Sequence, residues 1–333
     1  MQNLIEKNLY EKSLISYILW PVSFKYSLIL KLRRLFIKRG YKSKCKIISV
    51  GNIVSGGSGK TPVTIFLAKH LQMQGKKVAV SHRGYKGKFE NENKLISDET
   101  KVFDFARDAG DETFLLATKL AGIPVIAGKD RKKSIQYLEE KYPDLEYIIL
   151  DDSFQHLKVQ HDYDFVVFNA IGGIGNGFVL PAGILREPLS ALKYSNYIVF
   201  NGKGKISNKI EKYNKPILKG EYQIKRFANI EGHEINPEGK LALLSGIGLP
   251  SSFEDTVHKA GLHFEKHFRF PDHYDFKNNK IIKQISADIK LGKIDYLLTT
   301  EKDFAKLQFI KHHLPLIIVE VEFVLDNINQ LQL

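Results

Sequence analysis

The sequence predicts an α/β protein: a P-loop NTPase-type domain on a parallel sheet, then a second, smaller α/β domain, with an N-terminal membrane-interface helix ahead of both. Three observations carry this. Short β-branched runs alternate with amphipathic helical stretches, the pattern of a mostly parallel sheet covered on both faces. One glycine-rich turn between such a run and such a helix carries Gly59, Lys60 and Thr61. An uncharged, aromatic-rich run followed by a mixed apolar and basic stretch occupies the N-terminus.

A chain of 333 residues is long enough for two domains, and 43% hydrophobic with 26% charged residues excludes a disordered polymer. With 50 Lys and Arg against 37 Asp and Glu, the net charge of +13 favours anionic partners without choosing among nucleotide, nucleic acid and acidic lipid. The single cysteine, Cys45, excludes an intramolecular disulfide and a CxxC metal site, and reads as a small apolar residue entering a buried strand. The expected organisation is a basic, amphipathic segment over 1–40, a nucleotide-binding and catalytic domain over 41–201, a lysine-rich linker region over 202–239 and a second α/β domain over 240–333.

In chain order, SLISYILWPVSF (13–24) is uncharged but interrupted by Pro21, and falls short of the roughly 20 apolar residues that span a bilayer. No small-residue cleavage site follows. One or two helices remain, with Leu28, Leu32, Leu35 and Phe36 beside Lys31, Arg33, Arg34, Lys38, Arg39, Lys42, Lys44 and Lys46. That combination fits an interfacial anchor, with Tyr17 and Trp20 at the headgroup boundary and the bases on anionic lipid. A helix packed on the main domain with a solvated basic face fits equally well.

Residues 46–69, KIISVGNIVSGGSGKTPVTIFLAK, read as strand, glycine turn and helix. In this layout backbone N–H groups at Gly56, Gly57, Ser58 and Gly59 face an anion, Lys60 reaches the β/γ-phosphates and Thr61 holds Mg²⁺. The consensus glycine five residues before Gly59 is replaced by Val54, so Gly56 and Gly57 supply the turn. A partition-type ATPase acting on nucleic acid or a protein partner has a related compact loop, but with a lysine where this chain has Ser55.

A second strand (78–81) leads into the loop Arg83-Gly84-Tyr85-Lys86-Gly87-Lys88, and the polar stretch to Lys101 reads as a surface hairpin or flap. Gly110-Asp111-Glu112 open a helix, where Asp111 also suits an N-cap. A strand at 123–128 and a helix opened by Lys129, Asp130 and Arg131 follow, then YIILDD, an apolar strand ending in Asp151 and Asp152. Carboxylates at such a strand end can hold Mg²⁺ or its water beside the phosphate loop. After a strand at 165–168, a glycine-rich loop and a proline-flanked Arg186-Glu187 pair lead to a further helix and the strand YIVFNG.

The second half repeats the alternation, with strands expected at 241–244, 264–268, 296–299 and 316–321 and helices at 252–260, 277–289 and 302–311. FPDHYDF, with Asp272 and His273, and TTEKDFAKL, with Glu301, Lys302 and Asp303, fall at strand ends, where open α/β sheets bind ligands and where a cleft between domains could form. His263 and His267 have i, i+4 spacing but strand-like flanks and no third ligand, so a zinc site is not expected.

Taken together, VGNIVSGGSGKTP, SHRGYKGK, AGDETFLLA, GKDR, LDDSFQHL, GNGFVLPAGILREPL, FPDHYDF and TTEKDFAKL resemble, in order, the motifs of the tetraacyldisaccharide 4′-kinases of Gram-negative bacteria, also called lipid A 4′-kinases. The resemblance is weakest in the N-terminal forty-odd residues and from 202 to 239. It implies transfer of the ATP γ-phosphate, with Mg²⁺, to the 4′-hydroxyl of the lipid A disaccharide 1-phosphate, forming lipid IVA. It further implies a peripheral or monotopic protein on the anionic cytoplasmic face of the inner membrane. No nucleic acid or identifiable protein partner is expected. By the same resemblance, Asp111 is the catalytic carboxylate paired with His273, Asp151 and Asp152 belong to the metal motif, and Tyr85, Glu112, Arg131, Gln155, Arg186 and Glu187 line the substrate cleft. Ser58, Ser153 and Phe154 depart from common family residues as tolerated loop variation.

Overall fold

A computed structural model of the chain describes residues 9–37, 40–170, 172–202, 204–272, 274, 276, 279–307, 314–326, 328, 331 and 333. Backbone contacts divide the chain into two units, Met1–Glu221 with Leu325–Leu333, and Tyr222–Val324.

The first unit opens with α1 (Leu14–Phe36), started by a reciprocal capping box between Ser13 and Ser16 and ending with Arg33 and Arg34 in the last turn, where cations suit the helix dipole. It runs through Pro21 as one helix. Its polarity is inverted: Ser16 and Ser23 are buried, while Leu14 and Phe36 are 77% and 78% exposed and Ile18, Trp20, Phe24, Ile29 and Leu35 also face outward. Hydrogen bonds draw the serines inward, from the Ala182 N–H to Ser23 Oγ (2.9 Å) and from Asn176 Nδ2 to Ser16 Oγ (3.4 Å). Among the described residues no helix is long and apolar enough to cross a membrane. Lys38 and Arg39 lie outside the described residues.

The sheet follows with β1 (Lys46–Gly51), α2 (Lys60–Met73), β2 (Val78–His82), β3 (Lys94–Ser97), α3 (Asp111–Lys119), β4 (Val125–Ala127), α4 (Arg131–Lys141), β5 (Tyr147–Asp151), β6 (Tyr163–Asn169), β7 (Tyr197–Asn201), α5 (Asn208–Glu211) and β8 (Ile217–Ala228). The strand order is β8-β7-β6-β1-β5-β2-β4-β3, and β8 runs on into the second unit from Tyr222. Every pair is parallel except the edge pair β3 with β4. β1 and β5 are buried almost end to end, as a sheet covered on both faces requires. Ile47, Ile148 and Leu150 pack with Ile135 and Leu138 of α4, and burial of each such side chain contributes about 1.5–3 kcal/mol. Cys45 sits just ahead of β1, and burial pushes its thiol up to about 11, so it acts as a small apolar residue.

Three local expectations differ from what is observed. The stretch expected as a flap contributes β3 to the sheet edge, because Leu95 and Ile96 are buried there. The helix expected after Pro188 is a single 3₁₀ segment, Leu189–Tyr194. The lysine-rich region expected as a linker holds α5 and all of β8, whose alternating burial lets lysines face water.

The second unit contains β9 (Leu241–Ser245), α6 (Pro250–Lys259), β10 (Lys266–Arg269), α7 (Asn279–Lys290), β11 (Tyr296–Thr300), α8 (Glu301–Leu307) and β12 (Leu316–Leu325), with parallel order β10-β9-β11-β12. Residues 277, 278 and 308–311 of the two expected helices lie outside the described residues. His267 donates from Nδ1 to Glu254 Oε1 (2.5 Å), and its Nε2 is bonded with Ser245 Oγ (2.8 Å), a polar network within this unit. Asp303 is buried and accepts from the Gly246 N–H (2.9 Å) and the Thr300 hydroxyl (2.8 Å), which ties the TTEKD turn to the end of β9.

In the first unit the 83–90 loop lies so close to the residues ahead of α3 that a Cβ on Gly87 would fall 2.3 Å from the Ala109 carbonyl carbon and oxygen. Gly87→Ala therefore forces backbone apart, and we expect a loss of about 1–3 kcal/mol in urea unfolding. A midpoint equal to wild type would contradict this packing.

Candidate nucleotide site

The site grows from β1. After Gly51 the chain pairs with residues 184–186 rather than turning at once: the Ser55 N–H donates to Ile184 O (2.7 Å), the Arg186 N–H to Ile53 O (2.7 Å), and Val54 bridges Leu185. Val54 is thus buried and strand-like, which is why the consensus glycine is dispensable at that position. The turn falls later, at Gly56 (φ 99°) and Gly59 (φ 82°), conformations that a side chain disfavours. Gly59 caps α2 with no side-chain acceptor, so the first N–H groups of the helix have no intrahelical partner and suit an anion.

Parallel pairing of β1 with β5 sets Val50 opposite Asp151. Asp151 is buried beneath the loop and accepts from the hydroxyls of Thr61 (3.0 Å) and Thr64 (3.1 Å), one turn apart on α2. Asp152, at φ 49°, turns outward, and its Oδ1 lies 3.8 Å from Lys60 Nζ and 3.6 Å from Arg186 Nη1. Beneath them Arg131 is buried, donating to Ser81 Oγ (3.0 Å) and Asp151 O (2.5 Å). Burial pushes the Asp151 carboxyl up, Glu112 and Asp152 push the same way, and His82 and Lys60 oppose them. Burial likewise lowers Arg131 to about 10, against the pull of Asp151 and Asp152, so it stays charged at neutral pH.

Around this centre, Asn52 Nδ2 donates to Ser58 Oγ (2.8 Å), Gln155 Nε2 to Asn52 O (2.6 Å) and Arg186 Nη1 to Asn52 Oδ1 (3.3 Å). Asp111 is the first residue of α3 and is exposed, with Glu112 beside it. Glu112 Oε2 meets His82 Nε2 at 3.2 Å. Because the Gly84 N–H donates to His82 Nδ1 (3.0 Å), the neutral imidazole carries its proton on Nε2 and donates to Glu112. Tyr85 is exposed on the neighbouring loop between Arg83 and Lys86. Glu187 is buried, and both its oxygens accept from Arg34 of α1. His273 lies outside the described residues.

Of the expected residues, the structure gathers Gly56–Thr61, Asp151, Asp152, Arg131, Gln155 and Arg186 around one loop, and puts Asp111 and Glu112 at the start of α3. Sequence reading missed Asn52, Thr64, His82 and Arg34. Thr64 had a signal, being three residues after Thr61 on the same helix face. His82 ends β2, where sites in such sheets lie.

A parallel α/β sheet with this loop and buried strand-end carboxylate defines a P-loop nucleotide-binding protein. The tetraacyldisaccharide-1-P 4′-kinase family model matches residues 15–332, and the chain belongs to that family. It is 34% identical to the tetraacyldisaccharide 4′-kinase of Desulfotalea psychrophila, covering 92% of each chain. It is 37% identical to that of Actinobacillus succinogenes, over 89% of this chain and 87% of the relative. It is also similar to the crystal structure of LpxK from Aquifex aeolicus in complex with ATP, with TM-score 0.72 and 27% identity over 94% of this chain and 96% of the other.

His156, just beyond the site, is lowered to about 4, first by burial and then by the charge of Arg131. Its folded pKa is below the unfolded value of 6.5, so protonation favours the unfolded chain between those values. Stability should therefore fall as pH drops from 6.5 toward 4. Urea midpoints at pH 7 and 5 should converge in His156→Gln relative to wild type, and an unchanged difference would contradict this.

Proposed function

We propose that the protein transfers the γ-phosphate of ATP to the 4′-hydroxyl of tetraacyldisaccharide 1-phosphate, giving lipid IVA, at the cytoplasmic face of the inner membrane. The observation that carries this is the junction of Thr61 and Thr64 with Asp151 under a complete phosphate loop, in a chain matched by the 4′-kinase family almost throughout. The names of the relatives supply the acceptor.

The donor set suits Mg²⁺. Thr61 and the two strand-end aspartates offer hard oxygen ligands, and the Asp151 carboxyl is destabilised by burial as a carboxylate awaiting a cation would be. Magnesium, when bound, neutralises charge on the β- and γ-phosphate oxygens.

The chain's own residues do the rest. Lys60 and the N–H groups from Gly56 to Thr61 hold the phosphates, and Arg131 holds the Asp151 carbonyl from below. Arg186, beside Asp152 and Asn52, is well situated to hold the transferring group or the acceptor. Asp111 accepts the hydroxyl proton late in transfer. His82 fixes Glu112 on the same helix turn, and Tyr85 and Gln155 complete the cleft.

The outward apolar face of α1 supports a peripheral seat on anionic lipid, with Trp20 and Tyr17 in the headgroup region and the basic residues beyond Leu28 on phosphate. The inverted polarity favours this over a helix packed only on the domain, since a solvated helix would hide those side chains.

Radiolabelled ATP with purified acceptor lipid tests the reaction. Wild type should label the lipid, Lys60→Ala should be reduced, and Asp111→Ala should lose at least about 100-fold in kcat. Full activity in Asp111→Ala would remove its assigned role, and DNA-stimulated ATP hydrolysis without lipid labelling would sink the kinase reading. Ile18→Glu/Leu35→Glu should float poorly with anionic liposomes while still binding ATP, and undiminished flotation would reject the anchor.

A further inference from the structure

We propose that Arg34 is a positioning residue for phosphoryl transfer, locking helix α1 to the loop that carries the strand-end aspartates and to the Arg186-Glu187 pair. The inference rests on the nucleotide-site reading above. Arg34 is nearly buried, its side chain 11% exposed. Its Nε and Nη2 donate to the two oxygens of Glu187 at 2.8 and 2.9 Å, in a parallel fork, and Nη2 also donates to Phe154 O at 3.2 Å. The guanidinium stacks on the rings of Phe154 (4.5 Å) and Tyr194 (5.1 Å). Arg33 adds a bond to Gln155 O at 3.2 Å.

These contacts fall one to three residues from groups at the phosphate site. Phe154 and Gln155 lie two and three residues after Asp152, and Glu187 follows Arg186, whose guanidinium faces Asp152 and Asn52. A buried, bidentate, stacked arginine holds one geometry. Removing it leaves the Glu187 carboxylate buried without its partner, a strongly unfavourable state that moves the backbone on which Arg186 stands. Glu187 therefore acts through Arg34 and not by touching the acceptor. The helix that presents apolar side chains outward is the same one that braces the metal loop, so the seating of α1 and the order of the site are one mechanical unit.

The test uses the full chain in detergent micelles carrying acceptor lipid, so that membrane attachment does not limit the rate. Arg34→Met should lower kcat by about 10–100-fold with the KM for lipid unchanged, as loss of an outer support of a metal site does. It should raise the Mg²⁺ concentration needed for half-maximal binding of a fluorescent ATP analogue. In the nucleotide-free protein it should speed hydrogen exchange in residues 152–157 while β1 and α2 exchange as in wild type. Arg34→Lys, which keeps charge without the planar fork, should recover only part of the rate, and Glu187→Gln should behave like Arg34→Met. Wild-type kcat and Mg²⁺ dependence in Arg34→Met overturn the proposal, as does a change confined to the KM for lipid with loop exchange unaltered. If Arg34→Met does not fold, Arg34→Lys and Glu187→Gln decide by the same readouts. A wild-type protein that binds no Mg²⁺–ATP analogue overturns the site reading and this inference with it, whereas wild-type binding beside unaltered variants overturns this inference alone.

Discussion

The carboxylate of Asp151, buried at the end of β5, is the constraint on which the site depends. It exists there because β5 pairs with β1 in a register that puts Asp151 beside Val50, and because two threonine hydroxyls one helical turn apart reach its two oxygens. A buried carboxylate is unfavourable unless hydrogen bonds and charge offset its desolvation. Thr61, Thr64, the Asp152 N–H and the charge of Lys60 supply part of that offset. Arg131 then takes the carbonyl of the same residue. Helix α2, strand β5 and the start of α4 are in this way referred to one side chain, and the phosphate loop inherits its position from it.

Helix α1 inverts the usual polarity of a packed helix. Its serines, Leu30 and Arg34 face the protein while large apolar side chains face away. Burying small hydroxyls is tolerable only because each finds a partner: the Ala182 N–H for Ser23, the capping box and Asn176 for Ser16. Pro21 is carried within the helix because these anchors on either side hold its line. Outward apolar surface of this extent is the observation behind the peripheral seat proposed for α1.

Much of the architecture was legible because buried parallel strands read as continuous apolar runs and the helices between them keep their periodicity. The phosphate loop, the strand-end aspartates and the Asp111-Glu112 helix start were legible because their chemistry lies in contiguous residues. The edge strand β3 was not, since four residues among polar ones carry no period. The long strand within the lysine-rich region was obscured because charge on an exposed face masks the alternation beneath. Val54 was read as a missing glycine, and only its pairing with Leu185 explains why a β-branched residue belongs there.

By itself the sequence determined the fold class, the position of the phosphate loop and the identity of its charged residues, because each follows from local spacing and composition. Only the tertiary structure decided which hydroxyls meet Asp151, that Arg131 lies beneath it and that His82 holds Glu112. It also decided that Glu187 is occupied by Arg34. Arg34 and Glu187 are separated by most of the first unit of the chain, and strand register and helix seating bring them within 3 Å, a proximity that no local pattern encodes.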